Sequence, residues 1–278
     1  MTALIDTHLH LIDRGQISYP WLKDAAPLDR DWTYEDYETT ARRVGIAGTL
    51  HMEVDCAPAD RFAETDMIAG LMAREGSLIR GAIAAARPEE DGFDALLDTL
   101  DRATVKGFRR VLHVVPDDVS LSDRFRANIR KLGPAGLPFD ICMLARQLPL
   151  ARALVDACPD TTFVLDHCGV PDIAGGGFDT WAREIAALAE RPNLNAKISG
   201  VTAYAAPDWT LDTLRPYIEH VIGCFGWSRV VWGSDSPVCT LNSSLDQWVA
   251  VTRALLSEAS ADEARALASG NATRIWSL

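Results

Sequence analysis

The sequence lacks the features that would indicate a membrane, secreted or nucleic-acid-binding protein. No segment approaches the roughly eighteen consecutive apolar residues of a membrane-spanning helix. The N-terminus lacks the basic patch and apolar run of a secretory signal. Lys and Arg number 27 against 39 Asp and Glu, and the resulting net charge of -12 would repel a polyanion. We therefore expect a cytoplasmic protein that binds neither membranes nor nucleic acid.

Paired cysteine motifs are also missing. The six cysteines are scattered along the chain and form no CxxC pair. A cysteine-based zinc knuckle is therefore not supported. In a cytosolic protein these thiols are expected to be reduced, and several of them to fill space in the core.

What the sequence does contain is an alternation of short apolar runs with longer segments of helical period. The runs predict strands at residues 3–7, 47–53, 78–84, 105–112, 138–143, 162–166, 194–198 and 230–233. Helices are predicted at residues 34–44, 59–74, 93–102, 122–132, 148–157, 178–189, 211–225 and 245–256, with a ninth at 261–269. The fourth is expected to stop at Gly133-Pro134.

Eight strand–helix units over roughly 250 residues are typical of a closed barrel. The predicted fold class is α/β, a (β/α)8 TIM barrel forming one domain over residues 1–278, with an additional C-terminal helix. An open, doubly wound sheet is the alternative.

Most of the histidines follow the ends of predicted strands, where a barrel of this type carries its active site. His8 and His10 end the first strand on one face, because side chains alternate along a strand. His113 ends the fourth strand and His167 the sixth, and Asp235 follows the eighth. Histidines scattered over a surface would not be distributed in this way. An active site is therefore predicted at these strand ends.

Other strand ends and loops supply candidates for substrate binding. They are Trp21, Glu53, His113, Arg146, Lys197 and Tyr204. Aromatic side chains in loops suit the apolar face of a sugar ring, and an arginine can clamp a carboxylate. Glu53 and Lys197 could equally be paired with opposite charges inside the barrel mouth. His51 and His220 are expected to be structural or solvated.

Four motifs, in order along the chain, resemble the amidohydrolase superfamily and specifically its lactonase-rich branch. They are IDTHLH, FVLDHCGVPDI, NAKISG and VVWGSDSPV. The resemblance implies that His8 and His10 bind a divalent metal or the substrate carbonyl. It also implies that His167 polarises the carbonyl and that Asp235 takes a proton from water. Many metal-binding members carry a histidine at the end of strand five, where this chain reads PFDICML.

The requirement for a metal stays open at this stage. His8, His10 and Asp235 could supply three ligands to zinc or manganese and leave a position free. Without a metal, the imidazoles could donate hydrogen bonds to a developing oxyanion. The sequence predicts an enzyme that hydrolyses a small lactone, and the weaker motifs YPWL and RQLPLA favour a sugar aldonolactone.

Three other functions are left as alternatives. Two are enzymes: a lactonase for dicarboxylate or muconolactone-type substrates, and a metal-dependent decarboxylase of the same superfamily. The third is a barrel that binds a ligand without turning it over. A homo-oligomeric state is left open.

Overall fold

The computed structural model describes residues 2–278, and its eight parallel strands follow one another around a barrel in chain order. The strands are β1 (Leu4–Leu9), β2 (Ile46–Met52), β3 (Ile79–Ala85), β4 (Val105–Val111), β5 (Phe139–Cys142), β6 (Phe163–Leu165), β7 (Leu194–Ile198) and β8 (Val230–Trp232). Each strand pairs in parallel with the next. The (β/α)8 barrel predicted from the sequence is confirmed.

The gap between β8 and β1 is closed by residues at the end of β1 and residues just after β8. Leu9 forms a bridge with Ser236. The amide of His10 donates to the Ser236 carbonyl at 2.8 Å, and the amide of Asp235 donates to the His8 carbonyl at 2.9 Å. The closing seam of the barrel therefore runs through three of the predicted site residues.

Helices surround the sheet and keep the alternation predicted from the apolar pattern. They are α1 (Tyr34–Val44), α2 (Arg61–Met72), α3 (Phe93–Asp98), α4 (Asp123–Ala135), α5 (Leu148–Ala157), α6 (Phe178–Ala189), α7 (Val201–Tyr204), α8 (Leu211–Phe225), α9 (Leu245–Leu256), α10 (Ala261–Arg265) and α11 (Asn271–Trp276). Five of them, α1, α5, α6, α8 and α9, occupy the residues predicted for them. In the described range, no helix combines the length and apolarity needed to cross a membrane.

Three helices have bounds that differ from the predicted ones. Helix α2 is shorter at both ends than the predicted 59–74, and α3 ends at Asp98 and not at residue 102. Helix α4 continues through Pro134 to Ala135. It ends where Gly136 adopts a left-handed conformation, with φ of 64°, and its amide bonds back to Leu132 and Gly133. A proline so close to the end disrupts little of the helical hydrogen bonding, and the glycine supplies the stop.

The C-terminal segment is longer than the single helix predicted at residues 261–269. A π-helical turn, Ala266–Gly270, connects α10 to α11. Ala272, Ile275 and Trp276 of α11 pack against inward-facing residues of the barrel strands, among them Leu50 and Val231. The last helix therefore closes the barrel interior on the side away from the site.

Candidate active site

A cavity of about 240 Å³ opens at the carboxyl ends of the strands. Its ionisable lining residues are His10, Asp55, Arg109, His113, Cys142, His167, Tyr204 and Asp235. The remaining lining residues are apolar side chains and the indole of Trp21. The cavity lies where a barrel of this type carries its catalytic residues.

Asp235 stands at the centre of three histidines. Its Oδ1 lies 3.7 Å from Nε2 of His8 and 3.6 Å from Nε2 of His10, and its Oδ2 lies 3.9 Å from Nδ1 of His167. The residue is buried, and its Oδ2 has no hydrogen-bond partner. Burial raises the pKa of Asp235 to about 6, despite the opposing influence of His167 and Arg109. A carboxylate of this kind is a suitable general base near neutral pH.

The backbone around Asp235 is held in an uncommon conformation. Asp235 itself has a φ of 57°, in the left-handed region that few non-glycine residues adopt. Its carbonyl accepts a hydrogen bond from the Cys239 amide at 2.8 Å. A Cβ on Gly233 would stand 2.7 Å from Cβ of His8. Glycine at this position therefore lets β8 approach close enough for Asp235 to reach the histidines.

His10 presents one ring nitrogen to Asp235. Its Nδ1 lies 2.9 Å from the Met52 carbonyl, which accepts a hydrogen bond from the Nδ1–H. Its Nε2 is then an unprotonated acceptor facing the Asp235 carboxylate. Burial, followed by the charge of Arg109, lowers the pKa of His10 to about 4, so the ring is neutral at pH 7. Two facing acceptors favour a proton donor or a cation between them.

His8 lies beneath the cavity, between two buried cations. Lys197 Nζ is 3.3 Å from its Nδ1, and Arg109 Nη1 is 3.3 Å from its Nε2. Asp166 Oδ1 also approaches Nδ1, at 3.4 Å. Burial and the neighbouring Lys197 hold the pKa of His8 well below its usual value. The imidazole is therefore neutral in the folded protein.

His167 is positioned by a short left-handed turn. His167, Cys168 and Val170 have φ values of 54°, 55° and 51°. Trp181 of α6 donates its indole N–H to the Cys168 carbonyl at 2.8 Å and so anchors the turn. Ser199 Oγ lies 2.9 Å from His167 Nδ1. Non-glycine residues in this conformation are strained, and such strain is concentrated at functional sites.

Close packing on Gly200 also fixes the His167 ring. A Cβ on Gly200 would stand 2.6 Å from His167 Nδ1. Gly200 itself has a φ of 68°. The glycine that ends NAKISG is therefore required by the ring of the histidine in VLDH. Burial lowers the pKa of His167, so this imidazole is also neutral near pH 7.

A layer of paired charges lies below the histidines. Arg109 Nε donates to Glu53 Oε1 at 2.7 Å, and Arg109 Nη1 lies 3.5 Å from Asp166 Oδ2. Lys197 Nζ lies 2.6 Å from Asp140 Oδ1 and 2.9 Å from Asp166 Oδ1. Burial is the main influence that raises the pKa of Asp140, whereas Lys197 is the first of the charges that hold that of Asp166 down. Glu53 and Lys197 thus take the ion-paired position that the sequence left open.

Several residues of this layer are absent from the predicted site. Arg109, Asp140 and Asp166 are not among the residues predicted for the site. A signal for Asp140 and Asp166 exists in the sequence, because each is a charged residue within or directly after an otherwise apolar strand. Their pairing depends on contacts between strands, which alternation along a single strand does not reveal.

The other predicted residues divide between the cavity and the rest of the surface. Trp21, His113 and Tyr204 line the cavity. His113 Nδ1 lies 3.4 Å from the sulfur of Cys142, a further lining residue that the sequence did not indicate. Arg146 is 59% exposed and bonds to Asp117 at 2.9 Å, outside the cavity lining.

The donor atoms present fit a divalent cation. Ligand atoms of His8, His167 and Asp235 lie within 4.8 Å of one another, and the partnerless Oδ2 of Asp235 is a free, buried oxygen. Imidazole nitrogen and carboxylate oxygen are ordinary ligands for zinc. The ligands predicted from the sequence were His8, His10 and Asp235. The structure groups His8 and Asp235 with His167 instead of His10.

Known proteins resemble this chain in sequence and in fold. The family described as amidohydrolase matches residues 5–278. An L-fucono-1,5-lactonase from Burkholderia ambifaria is 29% identical, over 87% of this chain and 82% of the relative. A 2-pyrone-4,6-dicarboxylate hydrolase from Comamonas testosteroni is 26% identical, over 84% and 76%. A solved amidohydrolase from Burkholderia multivorans with bound zinc superimposes with a TM-score of 0.90, 24% identity and 99% coverage of both chains.

Proposed function

Because the chain belongs to the amidohydrolase family, we propose that it hydrolyses a lactone, with Asp235 as the general base that activates water. One observation carries this proposal. Asp235 is a buried carboxylate with a raised pKa and an unpartnered oxygen, and three neutral imidazoles surround it. Lactonase relatives support the same reaction class.

The reaction begins with a water in the cavity, within hydrogen-bonding reach of the Asp235 carboxylate. Asp235 accepts a proton from this water as its oxygen bonds to the lactone carbonyl carbon. The negative charge that forms on the carbonyl oxygen can be stabilised by a donated hydrogen bond from the Nε2–H of His167, while Ser199 donates to Nδ1. Arg109, which lines the cavity, supplies a fixed positive charge nearby.

Ring opening completes the reaction. The bond between the carbonyl carbon and the ring oxygen breaks, and protonated Asp235 returns its proton to the departing alkoxide. The products are a carboxylic acid and a hydroxyl group on one molecule. Asp235 is regenerated as a carboxylate. This is its main form at pH 7, because its pKa lies near 6.

A divalent cation held by His8, His167 and Asp235 would supply Lewis-acid polarisation of the carbonyl. Zinc and manganese are the candidates. We expect such an ion to be weakly bound, because Arg109 and Lys197 each lie 3.3 Å from a ring nitrogen of His8 and oppose a further positive charge.

Metal removal tests this expectation directly. Dialysis against a chelator should leave little zinc by elemental analysis, and calorimetric titration should give a Kd weaker than about 1 µM. His167→Ala should weaken the binding further, whereas His220→Gln, on α8 away from the site, should not. Stoichiometric zinc that survives chelation would contradict the expectation.

The substrate suggested by the relatives is a sugar aldonolactone, since two of them are L-fucono-1,5-lactonases. A barrel that only binds ligands does not need a base beside paired imidazoles, so that alternative is less well supported. The decarboxylase alternative rests on structures of 15% identity, which share the fold.

Replacing the base tests the proposed function. In a pH-indicator assay on a panel of lactones, Asp235→Asn should lower kcat by about 10² to 10⁴, the usual contribution of a general base. The matched control is Asp208→Asn, an exposed carboxylate outside the cavity lining, and it should keep wild-type kcat. A near-normal kcat for Asp235→Asn, in protein with an unchanged circular dichroism spectrum, would overturn the mechanism.

A further inference from the structure

His8 is separated from the cavity by the residues that line it. Its side chain is fully buried and lies outside the cavity lining, to which His10 and His167 both belong. An ion or ligand that enters the cavity therefore meets the other two imidazoles first. What His8 can offer depends on whether its buried neighbours leave one of its nitrogen lone pairs free.

Those neighbours determine which ring nitrogen of His8 carries the proton. A neutral imidazole has one N–H donor and one acceptor nitrogen. At Nε2, the Nη1 of Arg109 lies 3.3 Å away and can only donate, because a guanidinium has no acceptor. At Nδ1, the Oδ1 of Asp166 lies 3.4 Å away and can accept. Lys197 is also near Nδ1, but it has closer acceptors in Asp140 at 2.6 Å and Asp166 at 2.9 Å. The ring therefore carries its proton on Nδ1 and presents the Nε2 lone pair to Arg109.

The guanidinium of Arg109 is fixed in this position. Its Nε donates to Glu53 Oε1 at 2.7 Å, and its Nη2 donates to the Glu53 carbonyl. Its Nη1 also lies 3.5 Å from Asp166 Oδ2. The side chain is 5% exposed, and moving it away would leave two buried carboxylates without this partner, which is costly. The hydrogen bond to His8 is thus part of a rigid arrangement.

A metal ion would need the same lone pair. Ligation by histidine requires an unprotonated ring nitrogen. In His8 that nitrogen is Nε2, which is also the one that faces Asp235, at 3.7 Å. An ion bound to both residues therefore has to displace the hydrogen bond from Arg109, beside a positive charge that cannot move away.

We propose that Arg109 is an internal competitor for the metal, and that its guanidinium occupies the Nε2 lone pair of His8 as the resident cation of the site. Arg109, and not the number of available ligands, then sets the metal affinity of this chain. The inference rests on the proposed function, because it concerns how the same site is polarised. Its tests measure zinc binding and proton position instead of turnover, so a failure of the lactone assay and a failure of this inference are distinguishable.

A conservative substitution tests the competition. Arg109→Lys keeps the positive charge beside Glu53 but loses the planar group of N–H donors that reaches His8. We expect calorimetric titration to show zinc binding at least about tenfold tighter than in wild type, the size of effect that partners of a metal ligand commonly have. An unchanged zinc Kd in folded Arg109→Lys would overturn the proposal.

The neighbouring residue provides the matched control. Arg110 is also buried, and it donates to Glu89 at 2.9 Å. Arg110→Lys makes the same chemical change without altering the contact with His8, and it should leave the zinc Kd at the wild-type value. A gain in Arg110→Lys equal to that in Arg109→Lys would show that the effect is not specific to the His8 contact.

Removing His8 shows whether the gain depends on its imidazole. In the Arg109→Lys background, His8→Gln should weaken zinc binding about tenfold and so abolish the gain. In wild type it should weaken binding less than about threefold, because ligation by His8 there costs the hydrogen bond from Arg109. Equal effects of His8→Gln in the two backgrounds would show that Arg109 and the metal do not compete for His8.

The proton position can be measured without altering Arg109. Long-range proton–nitrogen NMR spectra of histidine-labelled wild-type protein, with His8 assigned by the signals that His8→Gln lacks, should show Nδ1 protonated and Nε2 unprotonated. A His8 ring protonated on Nε2 in zinc-free protein would overturn the proposal, whether or not the Arg109 variant folds.

Discussion

At the scale of single residues, the protonation state of Asp235 governs the expected pH dependence. Burial raises its pKa from 3.8 to about 6, so the carboxylate is protonated below that pH and cannot accept a proton from water. We predict that kcat/KM rises with pH through about 6 and is level between pH 7 and 8. The histidines add no descending limb, since their pKa values are lowered. A rate that does not vary between pH 4.5 and 8 would contradict this assignment.

The same shift predicts a stability gain when the charge is removed. The folded-state pKa of Asp235 exceeds its unfolded value, so its stabilising effect is full below pH 3.8 and is lost as the pH rises through about 6. The cost of the buried charge is about 3 kcal/mol at pH 8. In chelated protein, Asp235→Asn should therefore melt above wild type at pH 8, with the difference disappearing near pH 4 in calorimetry. A Tm of Asp235→Asn below that of wild type at pH 8 would show that neighbouring groups stabilise the charged Asp235 carboxylate.

Residues within strands illustrate what could and could not be predicted at this scale. That His10, His167 and Asp235 share one site follows from their places at strand ends, and the structure brings them together. The side chains of Glu53 and Lys197 could not be assigned in advance, because their partners Arg109 and Asp140 come from other strands. Inter-strand register, which no local pattern encodes, decides such pairings.

At the scale of elements, the left-handed turn after β6 depends on an indole from the next helix. Trp181→Phe removes the N–H that donates to the Cys168 carbonyl at 2.8 Å. We predict a loss of about 1–3 kcal/mol of stability and about a tenfold lower kcat, because His167 loses its fixed orientation. Calorimetry and steady-state kinetics measure the two effects.

Trp209 provides the matched control for this substitution. Its indole N–H donates to the Asn242 carbonyl at 2.7 Å, in a loop outside the cavity lining. Trp209→Phe removes a hydrogen bond of the same kind and should leave kcat unchanged. Equal effects of the two substitutions on kcat would indicate that the turn does not position His167.

Element boundaries were predictable where local chemistry sets them. Helix α1 begins after Thr33, whose side chain accepts from the Asp36 amide, and ends at a left-handed Gly45. The π-helical turn after α10 has no comparable local signal, because packing of α11 against the barrel interior decides it.

At the scale of the whole molecule, Asp6 joins the first and last strands of the barrel. Its Oδ1 accepts from the amides of His8 at 3.1 Å and Ser234 at 2.7 Å, and its Oδ2 accepts from the Tyr37 hydroxyl at 2.7 Å. No local sequence pattern singles out this carboxylate. Its contacts span 228 residues of the chain, so only closure of the barrel creates them.

Removing this carboxylate should weaken the contact between the first and last strands and lower the stability of the barrel. Asp6→Ala leaves buried amides of His8 and Ser234 without a partner, and we predict a loss of about 3–5 kcal/mol, or roughly 10 °C in Tm. Tyr37→Phe, which removes one hydrogen bond and keeps the carboxylate, should cost about 1 kcal/mol. Thermal unfolding followed by calorimetry compares the two. Similar Tm values for both variants would refute the role of Asp6 at the seam.

Some predictions at this scale stay predictions. The cytoplasmic location, the single-domain boundary at residues 1–278 and a homo-oligomeric state depend on the cell, on independent folding or on a second copy of the chain. A size-exclusion experiment with light scattering addresses the last of these.

Local patterns in the sequence are sufficient to predict the order of strands and helices, the barrel class, and the strand ends at which His8, His10, His167 and Asp235 occur. Hydrophobic period and turn chemistry are local properties, so a single chain displays them. Only the packed structure shows which of these groups are neutral and which charges are paired. Burial and ion pairing depend on neighbours from distant parts of the chain, and they shift the pKa values of the site residues.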